Sequence, residues 1–134
     1  MIVAMHVASG AVAGVLSGSR TRAALLGVVL HAAGDAVPHE DFPSRRFEAA
    51  CGLTLLGVLA LARGPLDPAV LGAAACAAPD LEHVLPGGGE SRRRKWFPSH
   101  RFESWHREGG VSAPLQLAAA VAIVALLTRR RKEA

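Results

Sequence analysis

The spacing of charged residues constrains this 134-residue chain more than any other feature of its sequence. Five stretches contain no Asp, Glu, Lys or Arg, namely Met1–Ser19, Ala23–Gly34, Ala49–Ala62, Pro68–Pro79 and Gly109–Thr128. They are built mainly from Ala, Leu, Val and Gly, and small residues let helices approach one another closely. The pattern predicts an all-α bundle in a single domain, residues 1–134. It excludes disorder, a disulfide-rich secreted scaffold and a coiled coil.

The lengths of the uncharged stretches predict a small membrane-embedded bundle of about five helices. A lone spanning helix needs about 20 apolar residues, and only the first and last stretches approach that length. The middle three reach 17 residues each if their polar ends also enter the helix layer, as Ala23–His39, Phe47–Arg63 and Pro68–Val84. A polar insert, residues 86–110, then separates the fourth helix from the fifth. A water-soluble helical protein stays open, since stretches of 12 to 14 residues also suit buried core helices.

All six histidines of the chain fall on one side of such a bundle, together with two aspartates at helix ends. An ionisable group at that depth is costly unless it faces the interior and has a partner. We therefore expect the eight side chains to share one site. The expected metal ligands are His6, His31, Asp35, His39, Asp80, His83, His100 and His106.

Two short spacings indicate metal chelation. His31 and Asp35 are four residues apart and Asp80 and His83 are three apart, so each pair shares a helix face. Imidazole with carboxylate suits Zn, Mn or Fe better than Ca or Mg, and Zn is the first expectation. One ion needs three or four protein ligands, whereas two ions about 3.5–4 Å apart would use more of the set. One or two ions are therefore expected, with the Asp35 and Asp80 carboxylates within about 10 Å of each other.

Structural interpretations of the same residues stay open. His31 and Asp35 could form a buried hydrogen-bonded pair without a metal. Asp80 could cap a helix, and His100 and His106 could be ordinary surface side chains among arginines.

The segment Ala78-Pro79-Asp80-Leu81-Glu82-His83, followed by Ser99-His100-Arg101-Phe102 and His106, resembles a family of bacterial membrane proteins. These are the inner-membrane-associated, metal-dependent hydrolases, called the YdjM-type or LexA-binding family. Its members carry an early His, a Pro-Asp-x-Asp-His at a helix end and a His-Arg-Gly-x-x-His after a loop. Glu82 stands at the family's second Asp, and the intervening Gly of the last motif is missing. The resemblance implies that the metal ligands include His6, Asp80, His83, His100 and His106.

A second resemblance covers His31 to His39 alone. The stretch is similar to the His-x-Gly-Asp element of zinc-dependent phospholipase C and of nucleases of the P1 type. Those enzymes hydrolyse phosphoesters with a cluster of zinc ions.

The predicted function is a membrane-bound, metal-dependent hydrolase of the bacterial inner membrane that acts on phosphoesters, with phospholipid as one candidate substrate. The catalytic candidates are Asp35, Asp80 and Glu82, beside a divalent metal that would lower the pKa of a bound water and so give hydroxide at neutral pH. Arginine forks suit phosphate, and the anion-binding candidates in the insert are Arg92, Arg93, Arg94 and Arg101.

Other functions stay open beside the hydrolase. The alternative is a non-enzymatic metal-binding membrane protein, which would act as a carrier, a sensor or a structural bundle. The basic run could be an ordinary cytoplasmic loop. Nucleic-acid binding is disfavoured although the pI is about 10.0, because basic runs beside membranes are common. The two cysteines, Cys51 and Cys76, are expected to be small buried hydrophobes, and the oligomeric state is left open.

Overall fold

The computed structural model describes residues 1–84, 95–102, 105 and 109–129. Within these residues the all-α prediction is confirmed, since six α-helices and one 3₁₀ segment form and no strand does. The elements are α1 (Val3–Ser17), α2 (Arg20–Asp35), α3 (Arg45–Arg63), α4 (Pro68–Ala77), the 3₁₀ segment (Ala78–His83), α5 (Pro98–Arg101) and α6 (Ala113–Arg129). The five long helices correspond to the five uncharged stretches. The short helix α5 was not predicted and lies in the insert.

Two helices end earlier than the sequence predicted. Helix α4 was expected to reach Val84, but it gives way to the 3₁₀ segment at Ala78. Pro79 is the physical reason, because its ring clashes with the carbonyl four residues before it and it has no N–H to donate. Helix α2 was expected to reach His39 but ends at Asp35. Pro38 disfavours helical geometry at the residue before it, which leaves His39 outside the helix.

The centre of the bundle is a contact between helix backbones at glycines. A Cβ atom built on Gly72 of α4 would lie 2.3 Å from the carbonyl oxygen of Gly10 on α1. A Cβ atom on Gly27 of α2 would lie 2.6 Å from the carbonyl oxygen of Gly72. Helix α4 is therefore held between α1 and α2 at backbone contact. This packing brings the start of α1, the end of α2 and the end of α4 to the same end of the bundle.

The loop after α2 and the start of α6 are joined by backbone hydrogen bonds. His39 and Val111 form an isolated parallel bridge, in which the Glu40 N–H donates to the Val111 carbonyl at 3.0 Å. The Gln116 side-chain amide also donates to the Glu40 carbonyl at 2.8 Å. These bonds hold the loop after α2 against the segment before α6, at the end of the bundle that carries the histidines.

The outward faces of the helices are apolar. Large hydrophobic side chains are exposed on α2, α3 and α6, and Leu61 on α3 is 91% exposed. Across the described residues, none of the helices has both the length and the hydropathy that a bilayer crossing requires.

Candidate metal centre

The five histidines that the structure describes lie at one end of the bundle, where α1, α2, the 3₁₀ segment and α5 meet. His6 and His31 are fully buried and their rings stack with centroids 4.1 Å apart. His31 also meets the His100 ring edge-on, at 5.0 Å. Side chains from four separate elements therefore converge on one small volume.

Three of these side chains form a tight triangle of possible ligand atoms. His31 Nε2 lies 3.1 Å from Asp35 Oδ2 and 3.0 Å from His100 Nε2. His100 Nε2 lies 3.4 Å from the same carboxylate oxygen. Ligands bonded to zinc at about 2.0–2.1 Å in a tetrahedral site are about 3.3 Å apart. The three distances fit one tetrahedral ion.

The other ring nitrogens of this triangle are already engaged with oxygen acceptors. His31 Nδ1 lies 2.7 Å from the Cys76 carbonyl, to which it donates, and His100 Nδ1 donates to Glu82 Oε1. A neutral imidazole has one N–H, so each Nε2 then carries a lone pair. Such partners fix the tautomer and the ring orientation of metal-binding histidines. When both rings are neutral, two nitrogen lone pairs and a carboxylate oxygen face one another, and either a metal ion or a proton on His100 Nε2 can hold them together.

Asp80 brings a second carboxylate to the same place. His6 Nε2 lies 3.1 Å from Asp35 Oδ1 and 3.9 Å from Asp80 Oδ2. Asp80 Oδ1 lies 3.6 Å from His100 Nε2, so both carboxylates adjoin the same two imidazoles. Asp80 Oδ2 is buried and receives no hydrogen bond from any described residue. A buried carboxylate oxygen without a donor is costly unless a cation neutralises it.

Three overlapping sets of side chains within the described residues could hold an ion. The sets are His6, His31 and Asp80; His31, Asp35 and His100; and Asp80, His83 and His100. Within each set the ligand atoms lie within 4.8 Å of one another. Because the sets share members, they offer either one ion with alternative ligands or two neighbouring ions bridged by a carboxylate.

His83 differs from the other histidines because a lysine contacts it. Lys95 Nζ donates to His83 Nδ1 at 2.8 Å, and the lysine is only 8% exposed. Burial and the positive charges of His100 and Lys95 lower the pKa of His83 to about 4, so its ring is neutral at pH 7. With Nδ1 accepting from Lys95, the hydrogen lies on Nε2. His83 can therefore bind a metal through Nδ1 only if Lys95 leaves.

The pKa of His100 is shifted in the opposite direction to that of His83. Burial lowers the pKa of His100, but its hydrogen bonds to Asp35, Asp80 and Glu82 outweigh burial and raise the pKa to about 9. In the metal-free protein at pH 7 the ring is therefore an imidazolium. Its second proton occupies the place that a metal ion would take between Nε2 and the carboxylates.

Two residues of the site were missed by the sequence analysis. The Ser99 hydroxyl donates to Asp35 Oδ2 at 2.6 Å from a buried position, and Lys95 contacts His83. The position of Ser99 next to His100 on α5 could have indicated its role. Nothing in the sequence distinguishes Lys95 from the three arginines before it. The contact between Lys95 and His83 depends on a neighbouring hydrogen bond, in which the Trp96 N–H donates to Glu82 Oε2 at 2.7 Å.

The remaining predicted residues lie elsewhere or beyond the described part of the chain. His39 contacts the Met1 amine and Asp41, and the three candidate sets do not include it. Arg101 is exposed on α5 beside His100. Cys51 is half-buried and Cys76 is buried, both as free thiols. His106, Arg92, Arg93 and Arg94 lie outside the described residues.

Glu82, predicted as a catalytic candidate, contacts both the His100 ring and the segment before α5. Its two oxygens accept from the His100 ring and from the Trp96 backbone N–H.

Comparison of the chain with protein-family models, with curated proteins and with solved structures gave no match.

Proposed function

We propose that the protein is a membrane-embedded, metal-dependent hydrolase of phosphoesters. The observation that carries this proposal is the triangle of His31 Nε2, Asp35 Oδ2 and His100 Nε2, with sides of 3.0 to 3.4 Å. When a metal ion replaces the proton on His100 Nε2, two imidazole nitrogens and a carboxylate oxygen form a donor set that fits a divalent cation of the Zn, Mn or Fe type. The resemblance to the bacterial YdjM-type hydrolases, proposed from sequence, agrees with this assignment.

His31, Asp35 and His100 would hold the ion, with His6 and Asp80 completing or bridging its coordination. A bound divalent ion supplies Lewis acidity toward the bond to be cut and makes water nucleophilic near pH 7. Asp80 Oδ2 would be available to accept a proton from the attacking water while Oδ1 faces the ion, because no described donor already binds Oδ2. Asp35 cannot share this task easily, since Ser99 and three histidines contact its two oxygens.

The membrane part of the proposal is supported by the apolar outward faces of α2, α3 and α6. Exposed Leu and Val side chains lose contact with water when lipid covers them, at about 25 cal/mol per Å². The longest described helix, α3, has 19 residues and carries Arg45, Arg46 and Glu48 at one end and Arg63 at the other. A bilayer location would place these charged ends at the interface, and a locally thinner bilayer would accommodate the shorter apolar stretch between them. We propose the bacterial inner membrane as the location, with the histidine-rich end of the bundle at the lipid–water interface.

Elemental analysis of the purified protein tests the metal assignment. We expect close to one or two zinc, manganese or iron atoms per chain, and a loss of metal in Asp80→Asn. Cys51→Ala is the matched control, because Cys51 lies on α3 and contacts none of the proposed ligands. Hydrolysis of nitrophenyl phosphate monoesters and diesters should fall together with the metal content. A metal-free, folded wild-type protein after zinc supplementation would contradict the proposal.

A second function, metal binding without catalysis, is favoured by the number of side chains at the site. Six possible ligands surround it, and a site closed by protein ligands leaves no open position for a substrate. One measurement distinguishes the two functions. Metal absorption spectra of the cobalt-substituted protein should change when phosphate is added if a coordination position is open, and should not change if the site is closed.

Membrane partition is measured separately from metal content. After lysis, the protein should sediment with membranes and require detergent for extraction. If it stays monodisperse without detergent, the membrane part of the proposal is wrong, and the metal centre is unaffected.

A further inference from the structure

A cavity of about 280 Å³ lies between α1, α3 and the junction of α4 with the 3₁₀ segment. Its walls are mainly apolar, with Val3 and Val7 from α1 and Leu53 and Leu56 from α3. This volume is at the lower end of the range for ligand pockets, about 300–1,000 Å³. At about 30 Å³ per water in the liquid, it would hold about nine waters. A space of this size has room for part of one alkyl chain and not for two.

One end of this cavity is the candidate metal centre. Asp80 and His83 line the cavity, and both belong to a candidate set of metal ligands with His100. A molecule that fills the apolar part would therefore extend to the ligand atoms. The other walls reach the outer apolar surface of the bundle, because Leu53 and Leu81 line the cavity and are 60% and 47% exposed.

The charges at the metal end favour an anionic group. The Arg45 guanidinium lies at the cavity wall, and Lys95 contacts His83 there. Two carboxylates oppose them, Glu48 and Asp80. Glu48 Oε1 already accepts from the Phe42 backbone N–H at 2.6 Å, and a divalent cation would neutralise Asp80. Arg45, Lys95 and, when it is bound, a metal ion would therefore adjoin the position where a phosphate would sit, opposite Glu48.

We infer that this cavity binds one alkyl chain of a membrane phospholipid, with the phosphate of that lipid at the metal end beside Arg45. The inference rests on the proposed function and adds a substrate class to it. A chain enters from the lipid-facing side past Leu53 and Leu81, and the ester bond to be cut then lies at the candidate metal centre.

The binding test uses decyl phosphate and methyl phosphate with the protein in lipid nanodiscs, followed by isothermal titration. Ala49 lines the cavity on α3, whereas Ala50 beside it is exposed and does not. Ala49→Phe should weaken the binding of decyl phosphate about 15-fold, which is the loss of two buried methylene groups at about 0.8 kcal/mol each. Ala50→Phe is the control, since chain partition into the nanodisc is the same for both variants. Equal affinities for decyl phosphate in the two variants would overturn the inference.

A second pair of variants tests the phosphate end without changing the core. Arg45 and Arg46 are both exposed at the start of α3, and only Arg45 lines the cavity. Arg45→Gln should weaken decyl phosphate binding several-fold and leave decyltrimethylammonium binding unchanged, while Arg46→Gln should change neither. If Arg45→Gln weakens the two ligands equally, or weakens neither, the assignment of the phosphate end is wrong.

Hydrolysis separates this inference from the proposed function. In an alkyl 4-nitrophenyl phosphate, water adds its oxygen to phosphorus, the bond to the nitrophenyl oxygen breaks, and the products are alkyl phosphate, 4-nitrophenolate and the protons released from water. The wild-type rate should rise with chain length by at most about fourfold per methylene group and level off when the cavity is full. Hydrolysis without chain-length dependence would overturn the lipid inference and keep the hydrolase. Chain-dependent binding of decyl phosphate without hydrolysis of any ester would support the cavity assignment and contradict the hydrolase.

Discussion

The contact between α1 and α4 makes Gly72→Ala the sharpest test of the packing. The added Cβ would lie 2.3 Å from the Gly10 carbonyl oxygen and 3.3 Å from the Gly14 Cα atom. Ordinary contact begins at 3.4 Å, and both opposing atoms belong to backbone, so they cannot turn aside. The two helices must therefore move apart by about 1 Å, and overpacking of this kind costs about 1–3 kcal/mol.

Gly57→Ala is the matched control, because a Cβ on Gly57 of α3 would meet nothing within 4 Å. Alanine is better than glycine within a helix by about 0.5–1 kcal/mol, and both variants receive that gain. We expect Gly57→Ala to raise the melting temperature by a few degrees. Gly72→Ala should lose about 1 kcal/mol net, which is a fall of about 3–6 °C for a domain of this size.

The same displacement should reach the metal centre. His6 lies on α1 and Asp80 follows α4, and their Nε2 and Oδ2 atoms are 3.9 Å apart. Sites of this kind tolerate about 0.5 Å of misplacement, so Gly72→Ala should lower zinc content as well as the melting temperature. Thermal unfolding followed by circular dichroism, with elemental analysis of the same samples, measures both. A Gly72→Ala protein as stable as Gly57→Ala would refute the backbone contact from which the convergence of the site follows.

Three further predictions concern the site itself. Asp80→Asn should lower zinc affinity and hydrolysis together, about 10- to 100-fold, whereas Cys51→Ala should change neither in paired metal and activity assays. Lys95→Met should raise zinc affinity about tenfold, measured by competition with a chelating dye. The reason is that a hydrogen bond to a charged group, worth about 1.5–3 kcal/mol, no longer has to break before His83 binds the metal. Unchanged affinity would show that His83 is not a ligand. The pKa of His100 is about 9 in the folded protein, against 6.5 for an unperturbed histidine. Protonated His100 therefore stabilises the metal-free protein fully below pH 6.5, and this stabilisation is lost as the pH rises to about 9. About 3 kcal/mol should disappear over this window in thermal unfolding with chelator, and the loss should be much smaller in His100→Asn.

The sequence predicted most of the fold because the charge spacing is strong. Uncharged stretches bounded by Gly, Pro and charged residues correspond to the five long helices, since only apolar stretches can be packed in the bundle. The pairing of His31 with Asp35 also followed from sequence, because a spacing of four residues puts both on one helix face whatever the helix packs against.

The rest depended on contacts between residues far apart in the chain. Lys95 lies against His83 because Glu82 binds the Trp96 backbone, and no local pattern encodes that turn. Ser99 reaches Asp35 across 64 positions of sequence. The cavity likewise forms from three elements, and its walls are ordinary Val, Leu and Ala residues that look like core positions in the sequence. Tertiary packing determines these features, and the hydrophobic periodicity of the sequence carries no information about tertiary packing.

The early end of α4 brings the side chains of Asp80 and His83 closer in direction than an α-helix would. In an α-helix a residue three positions on is turned by about 300°, so the two side chains would diverge by about 60°. In a 3₁₀ helix three residues make one full turn, and the side chains at positions three apart eclipse. Pro79 imposes that change of geometry between Ala78 and His83. The residue that ends the α-helix too early for the sequence-based prediction therefore aligns the carboxylate and the imidazole on one face, toward His100.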